Sequence, residues 1–206
     1  MIPAPLENCF VISIRQKRLE DFFQQDLGPL REHFSVVTGV NGSQLDRNAL
    51  AAVYKPINQW NVLTRGEIGC FLSHLGIWKQ MCELKLPYAF IVEDDCQVPP
   101  LADLQRALQE VNSVDPTWKV FLLGRNPRFK QDAKRVTAHL SIPRRSWGLF
   151  CYFITLEGAR HLVAKGHPIR AAVDVFVSSC KMRGKYALIR DLAHVRSVKS
   201  DTVNIR

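Results

Sequence analysis

Residues 86–100, LPYAFIVEDDCQVPP, carry an apolar run that breaks without a spacer into three adjacent acids, Glu93, Asp94 and Asp95. The run Tyr88-Ala89-Phe90-Ile91-Val92 is rich in β-branched and aromatic residues, the pattern of a strand buried on both faces of a sheet. In open α/β sheets ligands bind beyond the carboxyl ends of such strands. Three neighbouring carboxylates at that point repel one another and resist desolvation unless positive charge sits among them. A divalent cation answers both problems, because hard oxygen ligands suit Mg²⁺ and Mn²⁺. In extended chain Glu93 and Asp95 share one face and Asp94 takes the other. A strand exit with solvated acids is the plainer alternative; three acids with no small polar residue between them favour a site.

The 206 residues are expected to form a single domain, 1–206, large enough for a substantial core. An apolar fraction of 47% excludes a disordered chain. No apolar run approaches the ~20 residues of a membrane-spanning helix. The opening MIPAP lacks the basic-then-apolar plan of a secretory signal. The six cysteines are scattered through apolar segments, with no C-x-x-C pair or zinc-type spacing, which predicts reduced thiols in a cytoplasmic protein. The net charge of +9 is concentrated: residues 125–145 hold seven basic side chains against one acid, Asp132. Such density suits an anionic partner: a phosphorylated substrate, the inner face of an anionic membrane bound peripherally, or nucleic acid.

Strand and helix patterns alternate along the chain. Residues 8–14 and 34–37 read as strands, with an amphipathic helix through Leu19, Phe22 and Phe23 between them. Residues 46–54 read as a short helix. Thr64 and Glu67 form a capping box ahead of a helix bearing Ile68, Leu72, Leu75, Trp78 and Cys82 on one face. His74 lies on that helix, where a histidine is most simply a satisfied packing residue. Leu101, Leu104, Leu108 and Val111 mark another helix, and residues 119–123 another strand. Gly148 precedes the strand-like run LFCYFIT, Thr155 can cap a helix ending at Gly166, and Asp174 stands where a further helix begins, an N-cap position. Residues 185–190 read as a last strand. The alternation predicts an α/β fold, a Rossmann-like, mostly parallel central sheet flanked by helices.

LTRGEIGCFLSHLGIW (63–78) followed by FIVEDDC (90–96) resembles glycosyltransferase family 25, the lipooligosaccharide galactosyltransferases and their collagen-modifying relatives. The likeness extends to CFVISI with Arg18, FSVVTGVNG, GLFCYFITLEGARHLV, Val173-Asp174 and Ser200-Asp201-Thr202. It implies a GT-A-like fold, a Mn²⁺ (or Mg²⁺) site, and transfer of a sugar, most often galactose, from a UDP-sugar with inversion. Carried over by position, Glu93, Asp95 and His194 would hold the metal. Ser13, Arg18, Glu67, Asp94 and Gly148 would line the donor site, and Asp174 would be the general base. The acceptor would be a glycan or glycolipid such as lipooligosaccharide.

That chemistry also suits the residues by themselves. A departing diphosphate needs a Lewis acid or basic side chains, and an inverting displacement needs a carboxylate apart from the metal. The rival readings are a metal-dependent nuclease or nucleic-acid-binding protein and a non-catalytic nucleotide-binding relative. No recognised nucleic-acid motif supports the former, and aromatic residues do not interleave with the basic run. No nucleic-acid partner is therefore expected.

Overall fold

The computed structural model describes residues 6–60 and 62–196, and the Ser200-Asp201-Thr202 match lies outside them. A first strand, β1 (Cys9–Ser13), leads into α1 (Gln16–Phe23) and then β2 (Phe34–Thr38), parallel to it. Asp46 caps α2 (Arg47–Val53) by accepting from the Ala49 N–H at 2.8 Å. Helix α3 (Arg65–Leu84) opens with the predicted capping box, Thr64 and Glu67 each bonding the other's backbone. It delivers the chain to β3 (Tyr88–Glu93), a short β4 (Cys96–Gln97) and α4 (Leu101–Val114). Next come β5 (Val120–Leu122), a hairpin of β6 (Gln131–Arg135) and β7 (Leu140–Arg145), and β8 (Cys151–Thr155). Helices α5 (Leu156–Lys165) and α6 (Val173–Ser179) precede β9 (Lys185–Leu188) and β10 (His194–Val195).

Eight strands form one sheet in the order β2-β1-β3-β8-β5-β9-β7-β6. The α/β architecture is as expected, and β2-β1-β3 and β5-β9 are parallel pairs. Strand β8, however, enters antiparallel between β3 and β5, and the hairpin adds two more antiparallel pairings, so the sheet is mixed. A strand buried on both faces shows the same apolar run whichever way it points, so its direction leaves no mark in composition. The basic stretch 125–145 is a 3₁₀ turn at Pro127–Phe129 followed by this edge hairpin.

Strand periodicity sorts side chains between two cores. Cys9, Val11, Phe90, Val92, Phe121 and Phe153 pack toward Phe22, Leu104 and Leu108 of α1 and α4. Phe10, Ile12, Ala89, Ile91, Tyr152 and Ile154 pack toward Ile68, Phe71, Leu75, Trp78 and Leu162 of α3 and α5. By the same alternation Glu93 falls on the α3 side.

The 40–42 turn is pressed onto the start of α3. A Cβ on Gly42 would lie 1.7 Å from the Arg65 carbonyl oxygen, and one on Gly69 would lie 2.4 Å from that of Val40. Both obstacles are backbone, which cannot swing aside. Gly42→Ala is therefore expected to cost about 3 kcal/mol or more, read as a lower urea midpoint with an unchanged slope.

Candidate active site

The acids of β3 emerge between two neighbours. The Asp94 N–H donates to the Ile12 carbonyl of β1 at 3.0 Å, and the Glu93 N–H donates to the Phe150 carbonyl before β8 at 2.9 Å. The strand ends at Glu93, and Asp94 and Asp95 form a turn, so the strict alternation expected of extended chain stops there. Asp94 and Asp95 instead converge on one guanidinium. Arg18, just inside α1, bridges Asp94 Oδ1 and, at 3.0 Å, Asp95 Oδ2. Asp94 Oδ2 accepts from the Ser13 hydroxyl at 2.6 Å, and its carbonyl accepts from Arg196 at 2.5 Å. Ser13 and Asp94, both expected at the donor site, thus engage each other within the protein.

Asp95 differs. It is buried, and among the described residues its Oδ1 has no hydrogen-bond partner. Burial first, and the negative charge of Glu93 second, push its carboxyl up to about 7, against the pull of Arg18. A buried carboxylate oxygen without a donor is costly, and a divalent cation would satisfy it. Asp95 and the half-exposed Glu93 thus fit the oxygen-ligand chemistry of Mn²⁺ or Mg²⁺.

Glu93 is aimed from below by a buried chain. Trp78 Nε1–H donates to the Tyr152 hydroxyl at 3.0 Å, and that hydroxyl lies 2.9 Å from His74 Nδ1. An indole can only donate and an ionised carboxylate can only accept, so the phenol accepts from Trp78 and, with Nε2 facing Glu93, gives its own proton to Nδ1. The ring proton then sits on Nε2, 3.3 Å from Glu93 Oε1. Cys70, one helical turn before His74, donates to the same oxygen at 3.8 Å. Cys70, His74 and Glu93 bring their ligand atoms within 4.8 Å of one another. His74 is the satisfied, wholly buried histidine expected of α3, and it also orients an acid of the site. The four-residue Cys70–His74 spacing was the visible signal; Tyr152, 78 positions from His74, gave none. Tyr152→Phe would leave the Trp78 N–H and His74 Nδ1 unsatisfied. We expect destabilisation of about 1–3 kcal/mol for each, read by chemical denaturation.

Asp174 closes the other side. Ala172, not Asp174, is the N-cap of α6; Asp174 is its second residue, where the first-turn N–H groups favour an acid. Its Oδ1 accepts from the Val175 N–H at 2.7 Å and its Oδ2 from the Gly148 N–H at 2.8 Å. Gly148 can present that N–H because its φ is +87°, a conformation that side chains resist, and a Cβ there would crowd the Phe150 ring at 3.1 Å. Burial raises the Asp174 carboxyl above its ordinary value, the two N–H bonds pull it back, and the charge of Glu93 adds to the rise. The same electrostatic neighbourhood reaches Cys70, held up by burial and then by Glu93, Asp174 and Asp95. Glu93, Asp95, Asp174 and Gly148 are thereby gathered around the carboxyl end of β3.

Two further expected site residues have these surroundings. Glu67 spends a carboxylate oxygen on the Thr64 N–H at 2.7 Å, as a cap. His194 is exposed on β10, in register with Gln97, on the short strand whose next residues pair with Cys96 and bond the Asp95 carbonyl. The basic segment divides as well. Arg125 is buried against Asp132 and the Leu188 carbonyl, and Lys130 pairs with Asp191 at 2.8 Å, so these two charges are internal. The described residues include no helix long and apolar enough to cross a membrane.

The sequence profile described as "Glycosyltransferase family 25 (LPS biosynthesis protein)" matches residues 6–177. Procollagen galactosyltransferase 1 of Danio rerio is 25% identical over 193 residues, covering 87% of this chain and 31% of that protein. Procollagen galactosyltransferase 2 of Homo sapiens is 29% identical over 175 residues, covering 76% and 27%. A human protein named inactive glycosyltransferase 25 family member 3 is 28% identical over 187 residues, covering 82% and 30%. The chain therefore spans less than a third of the length of these relatives. With the acids of VEDD, the GEIGCFLSH helix and the Gly148–Asp174 contact all inside the matched span, the chain belongs to glycosyltransferase family 25.

Proposed function

We propose that this chain transfers a sugar, galactose foremost, from a UDP-sugar to a hydroxyl of a glycan or glycolipid acceptor, with inversion. The observation that carries the reading is the buried, unpartnered Oδ1 of Asp95 beside Glu93, with Asp174 held close by on two backbone N–H groups. Glu93 and Asp95 would hold Mn²⁺ or Mg²⁺, which when bound supplies positive charge to the diphosphate. Arg18, already among these carboxylates, adds a second positive charge on that side. Asp174 takes the proton of the acceptor hydroxyl as its oxygen bonds to the sugar C1 and the C1–O bond to the diphosphate breaks, releasing UDP. Its raised basicity and fixed orientation support this role.

A second reading, nucleotide binding without transfer, is favoured by one fact: a human relative of similar identity is named inactive. Thermal-shift measurements with UDP, UDP-galactose and DNA, each with and without Mn²⁺, followed by a transfer assay, separate the possibilities. Stabilisation by UDP-galactose that needs Mn²⁺, together with released UDP, supports the transferase. Stabilisation without turnover supports the silent binder, and stabilisation by DNA alone removes both.

A further inference from the structure

A cavity of about 410 Å³ is lined by Arg128, Phe129, Arg144, Arg145, Trp147 and Val175 among others. Its volume falls in the range of about 300–1,000 Å³ of small-molecule sites. Trp147 directly precedes Gly148, whose N–H holds Asp174, and Val175 directly follows Asp174. The cavity wall therefore includes the chain neighbours of both partners in the Gly148–Asp174 hydrogen bond.

Two features of its wall point to a ligand. Phe129 and Trp147 stack with ring centroids 3.9 Å apart and planes 25° apart, yet remain 44% and 39% exposed. An aromatic surface left open to solvent suits the apolar C–H face of a sugar ring. Around it, Arg128, Arg144 and Arg145 are exposed and, among the described residues, no acid pairs with their side chains. By contrast Arg125 and Lys130 of the same segment are both paired with aspartates. Guanidinium forks match carboxylates and phosphates in two-point contacts. We propose that this cavity is the acceptor subsite and that it takes an acidic sugar. The ring rests on the Trp147–Phe129 surface, the carboxylate or phosphate on the arginines, and the receiving hydroxyl is turned to Asp174. The assignment of that hydroxyl to Asp174 rests on the transferase reading; the acidic-sugar cavity does not.

Calorimetry in the absence of donor tests it. An oligogalacturonate is compared with its neutral methyl ester, and glucose-6-phosphate with glucose, on wild-type protein, Arg144→Ala/Arg145→Ala and Trp147→Ala. The expected result is that at least one acidic ligand binds more tightly than its neutral partner. The double arginine variant should lose this preference by about tenfold or more, and Trp147→Ala should weaken the same ligand. Thermal melting and UDP binding, run in parallel, report that the variants remain folded. Equal binding of acidic and neutral sugars, or an acid bound as tightly by the double variant as by wild type, overturns the proposal. So does a preference for single-stranded DNA or anionic phosphatidylglycerol vesicles that Trp147→Ala leaves unchanged, since that identifies a general anionic surface. A chain that binds the acid but never UDP would remove the transferase and keep the cavity; one that transfers galactose yet ignores acidic sugars does the reverse.

Discussion

Alanine at Asp95 is expected to abolish Mn²⁺-dependent binding of a UDP-sugar and to lower transfer on the order of 10³-fold. Asp95 is the one member of the acidic run with a buried oxygen that no described group satisfies. Its other oxygen meets Arg18, which in the variant still has Asp94, so the clamp between α1 and β3 survives and melting should show a folded protein. Calorimetry of UDP with and without Mn²⁺ gives the answer, and an unchanged affinity would refute the metal assignment. A pH series carries the same information. With the carboxyl pushed up to about 7 from 3.8 by burial and by Glu93, the metal-free protein holds a proton there that the unfolded chain has lost. That stability is fully present below the ordinary carboxylate value and disappears as pH rises through about 7. A cation competes with this proton, so its affinity should strengthen across the same window.

Asparagine at Asp174 should leave UDP binding in place while cutting kcat by about 10²–10⁴-fold, the usual contribution of a positioned base. The exchange is nearly isosteric. It nevertheless puts an NH₂ opposite the N–H of either Gly148 or Val175, since both carboxylate oxygens accept. A stability loss of about 1–3 kcal/mol is expected alongside. Reading nucleotide binding and melting with the rate separates a lost base from a lost fold. Near-normal transfer would mean that some other group accepts the proton.

The features legible in the sequence were local. Thr64 and Thr155 announce helix starts because a cap bonds to an N–H three residues ahead, and both do so here. The strands of the two cores were visible as apolar runs. The two-position offset between Asp174 and the true N-cap, Ala172, has the same origin: capping statistics cannot tell an N-cap from the second residue when Ala172 lacks a side-chain acceptor. What the sequence could not disclose were partners far along the chain. Ser13 meets Asp94 across 81 positions, and His74 meets Tyr152 across 78. Whether an acid faces a ligand or an arginine is decided by such contacts, so of three equal-looking acids one is clamped, one is buttressed by a histidine and one is left short of a partner. The hairpin β6–β7 leaves no two-residue alternation in the sequence, because QDAKR is exposed throughout and LSIPRR contains Pro143.

That hairpin also governs how the molecule meets its own copies. β6 is the last strand of the sheet, with all of its side chains exposed. A second molecule extending the sheet there would have to trap Asp132, Lys134 and Arg135 between chains, a penalty that protects such margins from aggregation. The opposite margin, β2, reads Phe-Ser-Val-Val-Thr, with Val36 48% exposed and no charge at all. Self-association in concentrated solution should therefore begin at β2, and a lysine at Val36 should suppress it.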